Sequence, residues 1–192
     1  MTSALKAVCF VVAFLGVVSA GVCVWVLATP EKFIVGETIV AFEWDGGDSP
    51  KLGIATAILM LFIGIAACIA NIEKRFIPFI AGLVIVLIIA IAFMSVAIKD
   101  HQDLKKAKDI QKMVLGSVSR ESNTFGDVNY HGRYKNTVMT GQDFMDKMMT
   151  KLKILAAVGA IDAIVLLIGI IIFYVKRPKS TSRNAMQMER TL

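Results

Sequence analysis

Two long apolar runs, Leu52 to Ala70 and Phe76 to Ile98, are separated only by Asn71-Ile72-Glu73-Lys74-Arg75. At about 1.5 Å per residue, each run is long enough as a helix to cross roughly 30 Å of hydrocarbon. So short a link can only turn the chain back, which makes the pair an antiparallel transmembrane hairpin. Two further runs flank it. The chain therefore reads as a single all-α integral membrane domain over residues 1–192. Four transmembrane helices, at about 4–28, 52–70, 76–98 and 153–175, form an antiparallel bundle. A small loop (29–51), a large loop (99–152) and a basic tail (176–192) complete it.

Composition agrees. Hydrophobic residues make up 56% of the chain and the mean hydropathy is +0.69, too apolar for a soluble domain of 192 residues. The charges fall almost wholly between the runs, which is how a bilayer selects sequence. The net charge of +6 is no nucleic-acid signal, because no basic patch is interleaved with aromatics on a folded face. The basic tail, opening Lys176-Arg177-Pro178-Lys179, suits an anionic lipid surface instead. All three cysteines, Cys9, Cys23 and Cys68, lie inside the runs, so no disulfide framework is expected. His101 and His131 stand far apart in the large loop with no cysteine nearby, so neither a metal nor a cofactor is expected.

Small residues within the runs mark where helices approach closely, since lipid offers no hydrophobic drive for helix association. The first run has Gly16, Ser19, Ala20 and Gly21, the second Gly53, Gly64, Ala66, Ala67 and Ala70, and the fourth Gly159. Gly16, Gly21, Gly64 and Gly159 are the helix-packing candidates. Trp25 fits an interfacial aromatic belt, and Pro78 is tolerated in the first turn of the third helix. The almost wholly branched stretch Leu83 to Ile91 suits lipid contact.

One charge lies deep in a run. Asp162, roughly mid-depth in the fourth helix, costs about 2.5–3.5 kcal/mol on insertion scales and needs a partner or a proton. Ser19, Thr56, Ser95 or a group from another subunit are the candidate partners. A lone aspartate without a relay reads first as an assembly contact and second as an ion-path group.

The loops carry the remaining signals. In the small loop Phe33 to Trp44 alternates loosely and suggests a short strand or two, ended by the turn Asp45-Gly46-Gly47-Asp48. In the large loop Leu104, Ala107, Ile110, Met113 and Val114 recur at helical spacing, as do Phe144, Met145, Met148, Met149 and Leu152. Both segments are expected to extend the membrane helices as a packed stalk. Between them the Ser-, Asn- and Gly-rich stretch 116–140 holds Phe125, Tyr130 and Tyr134, a candidate partner-binding tip. The Lys and Arg of the shorter segments favour cytosolic N- and C-termini in a multi-pass protein, with the plasma membrane as the first expectation and an organellar membrane as the second.

The layout of small loop, very short inner loop and large loop resembles that of the tetraspanins. Gly16, Gly21 and Trp25 are similar in spacing to the glycines and tryptophan of that family's first helix. Ala67-Cys68-Ile69-Ala70 followed by Glu73 resembles the segment that closes its second. The large loop has no cysteine, so it lacks the family's Cys-Cys-Gly motif and loop disulfides. Claudin-like proteins fit less well, because the small loop is short and lacks their cysteine pair. The tetraspanin resemblance implies Cys9 and Cys68, near the inner face, as palmitoylation sites.

No nucleophile stands at a recognisable spacing from a base, no carboxylates pair, and no glycine-rich phosphate loop occurs, so the expectation is not an enzyme. The first functional expectation is a tetraspanin-like membrane scaffold or accessory subunit, partnered by other membrane proteins in a hetero- or homo-oligomer and by lipids. The second is a subunit of an oligomeric channel or transporter using Asp162. The third is a supernumerary subunit of an organellar membrane complex.

Overall fold

The computed structural model describes residues 2–29, 31–35, 39–44, 47–69, 76–121, 131–134 and 137–176. Four helices dominate it: α1 (Thr2–Ala28), α2 (Ser49–Ile69), α3 (Phe76–Glu121) and α4 (Gly141–Val175). Each is long and apolar enough to cross a membrane. The all-α four-helix framework expected from the sequence is the architecture of the chain, and the protein is a multi-pass membrane protein. α1 packs extensively along α2 and α3 along α4, α2–α3 contact is intermediate, and the α1–α4 seam closes the ring more lightly.

The inward residues share one spacing. On α1 they are Leu5, Cys9, Val12, Gly16, Ser19, Cys23 and Val26; on α3, Phe79, Leu83, Val86, Ala90, Phe93 and Ala97. Alternating steps of three and four residues keep such a seam facing its neighbour and favour left-handed, shallow-angle packing. The branched stretch of α3 is divided by this rule. Leu83, Val86 and Ala90 are buried in the bundle, whereas Val84, Ile85, Ile88 and Ile91 face outward. Lipid contact therefore holds for only part of Leu83 to Ile91, since a helix packed on one side must turn a third of its residues inward.

Beyond the membrane length, α3 and α4 continue without a break, as the stalk reading requires. Phe144, Met145, Met148 and Leu152 are buried along α4, and Leu104 of α3 joins the cluster built on Leu152 and Leu155. Lys108 of α3 pairs with Asp146 of α4 at 2.5 and 2.6 Å.

To the helices is added a small antiparallel sheet in the order β2-β1-β3-β4. Its members are β1 (Glu31–Val35), β2 (Ile39–Trp44), β3 (His131–Tyr134) and β4 (Thr137–Thr140). The β1–β2 hairpin is the strand pair legible in the small loop. The β3–β4 hairpin lies in the stretch taken for an open tip, and it joins the small loop through Ile34↔Arg133 and Val35↔Gly132. The two loops thus form one cap over the same end of the bundle.

Candidate functional site: a polar pair between α1 and α4

α1 and α4 meet at two polar contacts. At mid-depth the Ser19 hydroxyl donates to the Asp162 carboxyl, 2.9 Å from Oδ1 and 2.8 Å from Oδ2. Both residues are 1% exposed, so the pair is sealed from lipid as well as from water. Both occupy inward positions of the three-four spacing, which is why they face each other. The pair lies between two apolar layers. One, toward the termini, contains Val12, Met60, Val86 and Leu166; the other, toward the loops, contains Cys23, Phe93, Ala97 and Leu155.

Of the partners considered for Asp162, the structure brings only Ser19 to it. The Thr56 hydroxyl donates to the Leu52 carbonyl at 2.9 Å, and the Ser95 hydroxyl to the Ile91 carbonyl at 2.8 Å. Such back-bonding satisfies a hydroxyl within its own helix. Asp162 is thus tied by its side chain to the neighbouring helix at Ser19. The arrangement can pin two helices together.

The second contact lies at the loop end of the bundle. The Lys151 ammonium donates to the Thr29 carbonyl at 3.3 Å and to its Oγ1 at 3.0 Å, and sits 5.3 Å from the centroid of the Trp25 ring. It neutralises the carbonyl end of α1, where the helix dipole favours a cation. Sequence reasoning noted Trp25 but passed over Lys151. The available signal was a lysine at the mouth of an apolar run, on an inward step of α4.

The packing glycines separate into two kinds. A methyl on Gly16 would lie 2.9 Å from the Ala57 carbonyl oxygen and 3.0 Å from the Met60 Cβ, so α1 and α2 touch there backbone to backbone. Gly64 meets Ala13 and the Cys9 carbonyl, and Gly159 meets Phe93 and Met94. Gly21 has nothing within 4 Å and faces outward. It takes no part in packing among the described residues.

Cys9 is 0% exposed in the bundle core, so an acyl chain on its sulfur would have to displace α2 packing. The side chain of Cys68 lies outside the described residues, as do Phe125, Tyr130 and the Tyr134 side chain. No protein-family model, curated protein or solved structure matches the chain.

Proposed function

We propose that this protein is a tetraspanin-like membrane scaffold or accessory subunit, set with its termini in the cytosol and its sheet-capped loops outside, which organises partner membrane proteins laterally and through the cap. The observation that carries the reading is that Asp162 is hydrogen-bonded by Ser19 of the same chain, with the Thr56 and Ser95 hydroxyls committed to their own helices. An ion-path group needs an exposed or relayed route, whereas a helix pin needs only a buried partner. The cap supports a contact role: two loops distant in sequence are fastened into one surface.

Native mass spectrometry after mild-detergent extraction, combined with flux in reconstituted liposomes, tests this. A stoichiometric protein partner and liposomes no leakier than empty ones are expected, for the natural chain and for Asp162→Asn alike. A proton or cation flux that Asp162→Asn abolishes would overturn the scaffold in favour of the conduit.

A further inference from the structure

A single serine is an incomplete partner for an ionised carboxyl. A carboxylate has two oxygens and no proton, so every hydrogen bond it takes part in must be donated by a neighbour. Ser19 has one hydroxyl proton to give. Its Oγ nevertheless stands 2.9 Å from Oδ1 and 2.8 Å from Oδ2, full hydrogen-bond distance from both. One proton cannot make two good bonds.

The lysines that could neutralise a carboxylate here are distant or engaged. On α4, Lys153 and Lys151 precede Asp162 by nine and eleven residues, about 14 and 17 Å along the axis at 1.5 Å per residue. The Lys151 ammonium is held at Thr29 and over Trp25. On α2, Lys51 pairs with Asp48 at 3.1 Å. Among the described residues, no cation forms an ion pair with Asp162. One neutral donor does not replace the hydration that a carboxylate loses between packed helices. A carboxyl buried without a cation takes up a proton instead.

We infer that Asp162 is a resident proton site, present in the bundle as the neutral acid in a two-way hydrogen bond with Ser19. One carboxyl oxygen carries the proton and donates it to Ser19 Oγ; the other accepts the proton of the Ser19 hydroxyl. Each group is then donor once and acceptor once, both short distances are accounted for, and no charge remains inside the bundle. The assignment also excludes one class of partner. An ionised acid in a membrane helix draws a lysine or arginine from the helix of another subunit, whereas a neutral acid already paired within its own chain does not. The lateral partners that the scaffold reading calls for are therefore recognised without a basic transmembrane residue opposite Asp162. The proton itself rests on the geometry of the pair and stands apart from that reading.

Infrared spectroscopy of the full-length chain in phosphatidylcholine vesicles tests it, at about pH 6.5, some two units above the usual range of exposed carboxyls. The chain is compared with and without carbon-13 in its aspartate carboxyls. Exposed aspartates are ionised under these conditions and do not absorb where the carbonyl of a protonated acid does, above the amide I band. The natural chain is expected to show an acid band there that moves down with the label and amounts to one carboxyl per chain. Asp162→Asn should abolish it. Ser19→Ala should keep the band but raise its frequency, because the carbonyl oxygen loses the hydrogen bond it accepts. A natural chain without the acid band would overturn the neutral assignment, and a band that Ser19→Ala leaves unmoved would overturn the two-way bond. The spectrum reports the proton whether or not another protein copurifies, so a missing partner counts against the scaffold and a missing band against the proton.

Discussion

Gly16 and Gly21 lie five residues apart on one helix, and the same substitution at each should have opposite outcomes. An alanine methyl at Gly16 would stand 2.9 Å from the Ala57 oxygen, 3.0 Å from the Met60 Cβ and 3.3 Å from the Leu61 nitrogen. Ordinary contacts of carbon are about 3.5–4.0 Å, so the helices must separate by several tenths of an ångström to about 1 Å. No obstructing atom can swing aside, because two belong to the α2 backbone and the third is a Cβ fixed to it. Overpacking of this kind costs about 1–3 kcal/mol. The helix-propensity gain from glycine to alanine, at most about 1 kcal/mol, applies at both positions and cancels in their difference. Gly16→Ala should therefore be about 1–3 kcal/mol less stable than Gly21→Ala, which meets nothing and should match or slightly exceed the natural chain. Reversible unfolding in mixed detergent micelles, followed by far-ultraviolet circular dichroism across an SDS titration, measures the difference directly. Stabilities within about 0.5 kcal/mol of each other would refute the backbone-to-backbone contact between α1 and α2.

The polar pair makes a different pattern in the same assay. Ser19→Ala removes the hydrogen bond seen at Asp162 and should cost about 2 kcal/mol, whereas Asp162→Asn, which keeps a carbonyl and gains a donor for Ser19, should cost under about 1 kcal/mol. Combining Ser19→Ala with Asp162→Leu should recover most of the loss; a double variant as unstable as Ser19→Ala alone would contradict the pairing. At the rim, Lys151→Met should destabilise by about 1 kcal/mol and raise the fluorescence change of Trp25 on unfolding, and Trp25→Leu should make Lys151→Met less costly if the two groups act together. Cys9 should resist a membrane-permeant maleimide in the folded protein and react after SDS denaturation, read as a mass shift of a variant lacking Cys23 and Cys68; ready labelling in the folded state would show the core to be open.

The spans were legible because an unbroken apolar run is itself the requirement of the hydrocarbon, and it holds whatever the run packs against. The stalk was legible because α3 and α4 become amphipathic once they leave lipid: Leu104 and Met148 stand out among lysines and aspartates. The β1–β2 hairpin was legible from local alternation. β3 and β4 were not, because His131-Gly132-Arg133-Tyr134 has no apolar alternation of its own and pairs with β1 about a hundred residues earlier in the chain.

The orientation of each helix about its axis is the harder matter, and it decides the site. A helix apolar on every side gives no amphipathic stripe, so Leu83 and Ile85 look alike in sequence although one is buried and the other faces outward. The residues that do discriminate are the small and polar ones. On α1, Cys9, Gly16, Ser19 and Cys23 fall on steps of seven, three and four, and on α4, Gly159, Asp162 and Gly169 fall on steps of three and seven. Both series fit one heptad seam, and Gly21 fits neither inward position of its own. Reading those residues as a set, rather than each glycine singly, would have excluded Gly21 and chosen Ser19 as the α1 partner for Asp162. Thr56 is inward as well, and its hydroxyl donates to the carbonyl of Leu52 within the same helix, so burial alone does not pick the partner. That competition between a helix's own carbonyls and a neighbouring carboxyl is settled by sub-ångström geometry, and it is the step at which pattern gives way to coordinates.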